Sequence, residues 1–151
     1  MPNTPKTREE LIAMLRNGPE GVREFNEYRK VTPWERIPSF RRVDLSGLNL
    51  RGVDFQELNF REAILRKTVL RDANLYGTLF REANLRETDL RSAYLEETEL
   101  CEADLSHADI RGAHLEATDF RGASLAHING LKRADWKRAC AETAKTIKFA
   151  D

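Results

Sequence analysis

Residues 63–85 read AILRKTVLRDANLYGTLFREANL, with a large apolar residue at every fifth position: Leu65, Leu70, Leu75, Phe80 and Leu85. Two residues before each stands Ala or Thr, namely Ala63, Thr68, Ala73, Thr78 and Ala83. A period of five suits neither an α-helix nor a continuous strand, so each unit must join a short extended piece to a change of direction. Strand alternation puts the apolar centre and the small residue two before it on the same side, facing inward. The other three positions hold mostly Asp, Asn, Arg, Glu, Gly and Ser, which suit an outer face and a turn. Working outward, the centres continue without a miss from Leu45 to Leu125, seventeen in all.

Units such as Ala73-Asn74-Leu75, Ala83-Asn84-Leu85 and Ala103-Asp104-Leu105, together with Asp44-Leu45-Ser46-Gly47, resemble the pentapeptide-repeat family, A-[DN]-L-x-x. The run spans residues 43–127, or 85 of 151 residues. The resemblance implies an all-β solenoid, a right-handed quadrilateral β-helix with four pentads per coil. Gly21–Arg29, GVREFNEYR, is similar to the helical lead-in of some bacterial, notably cyanobacterial, members. A twenty-residue coil should stack like residues in rows, and it does: Arg51, Arg71, Arg91 and Arg111 share one row, while the Thr residues fall on two opposite faces. With coils about 4.8 Å apart, the rod is on the order of 20 Å long.

Three segments follow: 1–42 as an N-terminal helical cap, 43–127 as the β-helix and 128–151 as a C-terminal cap. Thr7-Arg8-Glu9-Glu10 has the capping-box form and opens a helix over Arg8–Arg16. A second helix is expected over Glu20–Lys30, where Val22, Phe25 and Tyr28 recur by three. Such a pair would cover the open edge of the first coil, with Trp34, Ile37 and Phe40 sealing the joint. After Leu125 the register slips by one residue between 126 and 131. Beyond it, Trp136, Cys140, Ala144 and Ile147 fit a helical face, whereas Ala134, Ala139 and Ala144 fit a decaying pentad series; a helical cap is the favoured reading.

Lys plus Arg equals Asp plus Glu at 25 each, so the chain lacks the overall basic field of a nucleic-acid binder. The repeat carries ten basic and sixteen acidic residues, and the flanks fifteen and nine. No apolar run has the length of a membrane span and MPNTPKTREE lacks a signal-peptide core, so a cytoplasmic protein is expected. Cys101 and Cys140 read as free thiols, with a single bridge as the alternative.

The arginine row allows two readings. Stacked like charges would favour an anion or an acidic partner, but Asp54, Asp89 and Asp109 lie close enough in sequence to form a solvated ion-pair network, which is favoured. Carboxylates gather at Glu96, Glu97, Glu99, Glu102, Glu116 and Asp119. His107 and His127 share a corner row, yet two histidines without a third ligand do not make a metal site, and the register slip would move His127 out of line. No nucleophile has an aligned base, and no cofactor is expected.

The resulting expectation is a non-catalytic module that presents rigid charged faces, the arginine row and the carboxylate patch, to a protein partner. It would bind neither membrane nor nucleic acid directly, and would be a monomer or an end-to-end dimer. Some members of the resembling family are dimeric DNA mimics that bind type II topoisomerases such as gyrase, which is the alternative. Near-zero net charge, the arginine row and the lysine-bearing tail Trp136–Asp151 all depart from that pattern.

Overall fold

The computed structural model describes residues 4–132. The readings for Trp136, Cys140 and a helix or coil beyond 132 lie outside the described residues.

In the repeat, the outward residue before each centre forms a parallel bridge with its counterpart twenty residues on, from Asp44 with Ile64 to Asp109 with Asn129. Twenty residues are four pentads, so each coil has four sides. The centre's N–H donates to the next coil, as Leu65 does to Asn84 O at 2.8 Å, and the bridging residue's N–H donates to the previous one, as Ile64 does to Val43 O at 2.8 Å. Each of the four faces is defined by its column of centres. The first carries Leu45, Leu65, Leu85, Leu105 and Leu125, and the second Leu50, Leu70, Leu90 and Ile110. The third carries Phe55, Leu75, Leu95 and Leu115, and the fourth Phe40, Phe60, Phe80, Leu100 and Phe120.

Each corner is a β-turn such as Leu50–Val53, closed by Val53 N–H to Leu50 O at 3.1 Å. The third turn residue lies in the left-handed region at every corner from Arg42 to His127, with φ between 55° and 72°, as type II turns require. Thirteen of these residues are not glycine, although such a conformation costs about 1 kcal/mol each. The stacking imposes it, because the same residue's N–H must reach the next coil, as Glu62 reaches Arg81 O at 2.9 Å. The spacing located these turns but did not reveal their left-handed residue.

Every centre from Leu45 to Leu125 is 0–6 % exposed. Thr68, Thr78, Thr88, Thr98 and Thr118 are buried beside them, and each hydroxyl donates to a carbonyl one coil back, for example Thr98 Oγ1 to Leu75 O at 2.7 Å. The threonines are therefore interior ladder residues, as their position in the pentad suggested. Phe40, Phe55, Phe60 and Phe80 stack along the early coils, and Phe25 meets Phe55 edge-on at 5.6 Å.

Phe25 belongs to the N-terminal helices, α1 (Arg8–Arg16) and α2 (Gly18–Val31). Thr7 and Glu10 form the capping box at the start of α1. Helix α2 begins two residues before the expected Glu20, because Pro19 fits a first helical turn where an N–H has no partner anyway. At Gly21 a Cβ would lie 1.8 Å from Met14 O, so only glycine allows the two helices this approach. Polar side chains of these helices take up first-coil groups that no preceding coil can reach. Arg8 donates to Ser39 O and Arg41 O, Arg16 to Asp44 O, and Arg29 to Gln56 O. Asn26 donates to Gly52 O and accepts from Asp54 N–H, both at 2.9 Å. Ile37 and Phe40 are buried at this joint, but Trp34 is not: it sits in the 3-10 turn Trp34–Arg36 and is 49 % exposed.

At the far end the slip falls at Gly130. Asn129 still bridges Asp109; Gly130 then takes φ 94°, and Leu131 is buried in place of the missing centre. A Cβ at Gly130 would lie 2.7 Å from Arg111 N. His127 therefore stays in line, against the expectation, and its ring stacks on His107 at 4.9 Å.

Candidate functional site

With the centres filling the interior, the positions open to chemistry are the three outward ones of each pentad. The twenty-residue coil sorts them onto faces and corners.

On the second face Arg51, Arg71, Arg91 and Arg111 do form one row, and their charges are met by neighbours. Arg91 clamps Asp89 with Nε and Nη2 at 2.8 and 2.7 Å, and Arg111 clamps Asp109 at 2.9 and 2.6 Å. Arg51 reaches Asp72 at 2.8 Å, and Arg71 Nε lies 3.8 Å from the same carboxylate. The Arg91 and Arg111 guanidiniums hold Asp89 and Asp109 below the usual carboxylate range. Asp54 does not serve the row as expected. It points from the third face, where it accepts from Gln56 N and Asn74 Nδ2 and lies 3.9 Å from Arg29 Nε.

The fourth face carries a second arginine row that the sequence reading missed: Arg41, Arg61, Arg81 and Arg121, with Cys101 in the place between the last two. Its members are also met. Glu62 accepts from Arg41 and Arg42, Arg81 reaches Glu102 at 3.0 Å, and Arg61 lies 3.6 Å from Glu99. Asp119, clamped by Arg121 at 2.9 and 2.6 Å, is held down to about 2. Burial raises the Cys101 thiol, which is free.

Two spacings recur among these pairs. In Asp89-Leu90-Arg91, Asp109-Ile110-Arg111 and Asp119-Phe120-Arg121 the arginine turns back two residues onto the bridging aspartate. In Arg41–Glu62, Arg51–Asp72, Arg66–Glu87 and Arg81–Glu102 it reaches forward 21 residues, one corner position into the next coil.

The expected carboxylate patch therefore divides. Glu99, Glu102 and Asp119 belong to ion pairs of the fourth face, while Glu96, Glu97 and Glu116 stand on the third. The third face, residues 53–57, 73–77, 93–97 and 113–117, contains no Lys or Arg. It carries instead Tyr76, Tyr94 and His114, none of which the sequence reading singled out. Tyr94 is 47 % exposed and stacks on His114 at 4.9 Å and 13°. The Glu97 carboxylate favours the protonated Tyr76 hydroxyl and raises its pKa. Gln56, Asn74, Tyr76, Tyr94 and Glu96 line an open cleft of about 450 Å³. The available signal was a pentad register free of cations at every twentieth residue.

Among the described residues, no group of three or more His, Cys, Asp or Glu could hold a metal ion, and no helix is long and apolar enough to cross a membrane.

Stacked four-sided coils around a filled column define a β-helical solenoid. The family model of the pentapeptide repeat region matches residues 43–120, and the chain belongs to the pentapeptide-repeat family. A pentapeptide repeat protein from the Arabidopsis thaliana thylakoid lumen is similar at 25 % identity and TM-score 0.60, over 72 % of this chain and 81 % of that one. One from Nostoc is similar at 28 % identity and TM-score 0.56, over 83 % and 96 %. QnrB1, a plasmid-mediated fluoroquinolone resistance protein, matches at 20 % identity and TM-score 0.31, over 67 % and 64 %, too distant to bear on function. No curated protein sequence matches the chain.

Proposed function

We propose that the protein is a non-catalytic interaction module that presents rigid, charge-patterned faces of a right-handed quadrilateral β-helix to a protein partner. The helices of residues 1–42 serve as its N-terminal cap. The observation that carries this reading is the division of labour in the pentad: inward positions close on one another, while outward positions are held in rows by the coil spacing. In this reading the protein is cytoplasmic, works without a cofactor, binds neither membrane nor nucleic acid directly, and is a monomer or an end-to-end dimer.

Capture of partners on immobilised protein tests it, comparing wild type with Arg91→Glu/Arg111→Glu and with Glu96→Gln/Glu97→Gln. One and the same captured protein should be lost in one of the two variants and kept in the other. Capture that is identical throughout, or catalytic turnover without capture, overturns the reading. The alternative, a DNA mimic directed at gyrase, draws only on the third face, whose own residues include no Lys or Arg. The arginine rows of the second and fourth faces oppose it. A supercoiling assay with purified gyrase decides the matter: protection or inhibition at micromolar protein supports the mimic, and none removes it.

A further inference from the structure

Glu96 is the most exceptional carboxylate on the third face. Its side chain is 23 % exposed, its Oε2 is shielded from water, and among the described residues that oxygen has no hydrogen-bond donor. The nearest cationic candidate is His114 Nδ1, 3.9 Å from Oε1 and beyond hydrogen-bond reach. A shielded acceptor without a donor is costly, and elsewhere on this rod arginines meet such groups. Beside Glu96 the half-exposed ring of Tyr94 is backed by His114, Tyr76 forms another part of the same cleft, and the Gln56 and Asn74 amides complete it.

We propose that this cleft receives an arginine side chain of the protein partner. This deepens the reading above and rests on it. A guanidinium is a planar fork of donors that can bond a carboxylate and lie on an aromatic face at once, whereas an ammonium is a strongly hydrated point charge. The cleft offers both halves of that match: the partly exposed Glu96 carboxylate, free to turn its unpaired oxygen outward, supplies the acceptor and Tyr94 the ring. Glu97 and Glu116 on neighbouring corners add attraction, the face has no Lys or Arg of its own, and Arg29 of helix α2 is engaged with Asp54 and the Gln56 carbonyl.

The test is fluorescence anisotropy with labelled hexa-arginine, hexa-lysine and hexa-glutamate peptides on the full chain. Salt is set at about 0.15 M, where the screening length is about 8 Å. Hexa-arginine should bind several-fold tighter than hexa-lysine, and hexa-glutamate should not bind. Glu96→Gln, which keeps the shape, should weaken hexa-arginine about tenfold. Tyr94→Ala should weaken it about fivefold. Glu82→Gln, on the fourth face, should leave it unchanged. Equal binding of the arginine and lysine peptides, or equal losses in Glu96→Gln and Glu82→Gln, would mean a diffuse acidic field and overturn the proposal. If hexa-arginine does not bind while the arginine-row variant still abolishes partner capture, this cleft is excluded and the interaction-module reading stands.

Discussion

The second and third faces are built on the same backbone, with the same bridges and corners, and they treat charge in opposite ways. On the second, arginines lie against aspartates two residues back, the adjacent aspartate, or a carboxylate one coil on. On the third, the coils supply no Lys or Arg of their own: Asp54 meets Arg29 of helix α2 at 3.9 Å, while Glu96, Glu97 and Glu116 stand with tyrosines and a histidine. The backbone sets the spacing and is indifferent to sign. Neutralisation is therefore a property of side-chain choice at the outward positions, and a face left open is available to a partner.

The harshest way to break this comparison is to remove the column both faces rest on. Leu85→Asp puts a carboxylate at a centre that is 1 % exposed, and it should cost more than about 4 kcal/mol and unfold much of the rod, as read by thermal melting. Acid should strike the second and fourth faces, as it should Asp44 and Asp104 on the first, whose carboxyls are also held down. Asp89, Asp109 and Asp119 have folded pKa values below the usual carboxylate value, so their stabilisation is complete above the unfolded pKa and fades as pH falls through the folded one. Between roughly pH 4 and the value of about 2 for Asp119, the melting temperature should drop, and Asp119→Asn should shrink the drop.

Smaller changes sharpen the contrast. Thr98→Val keeps shape and removes the hydroxyl bond to Leu75 O, and should cost about 1 kcal/mol by denaturant titration without altering either face. Glu97→Lys, which puts a first Lys or Arg among the third face's own residues, should raise the melting temperature by about 1–2 °C, whereas Glu62→Lys, which faces Arg41 and Arg42, should lower it. Matching signs for the two would erase the distinction between the faces. Least of all, Arg91→Ala should barely move the melt, because the pair it breaks is more than a third exposed on the arginine side.

Much of the fold was legible because a five-residue period admits few windings. The centres, the threonine ladder and helix α1 could be read from residue identity and spacing alone. The site was less so. Grouping Glu96, Glu97, Glu99, Glu102, Glu116 and Asp119 by proximity in the chain mixed two faces. The partners that separate them lie two residues away, as for Asp119 with Arg121, or about a coil or more away, as for Arg81 with Glu102 and Arg61 with Glu99. Asp54 was misjudged for the same reason, since closeness to Arg51 along the chain places it on a different side of the coil.

Composition and period were enough to specify a stacked solenoid, because burying one apolar residue in five leaves the chain little choice but to wind. Which charges are spent on one another and which remain open, and where Tyr94 and Glu96 meet, depended on the winding itself. Corner side chains one coil apart are distant in sequence and adjacent in space. Only the stacking of coils, with its left-handed turn residues, sets that distance.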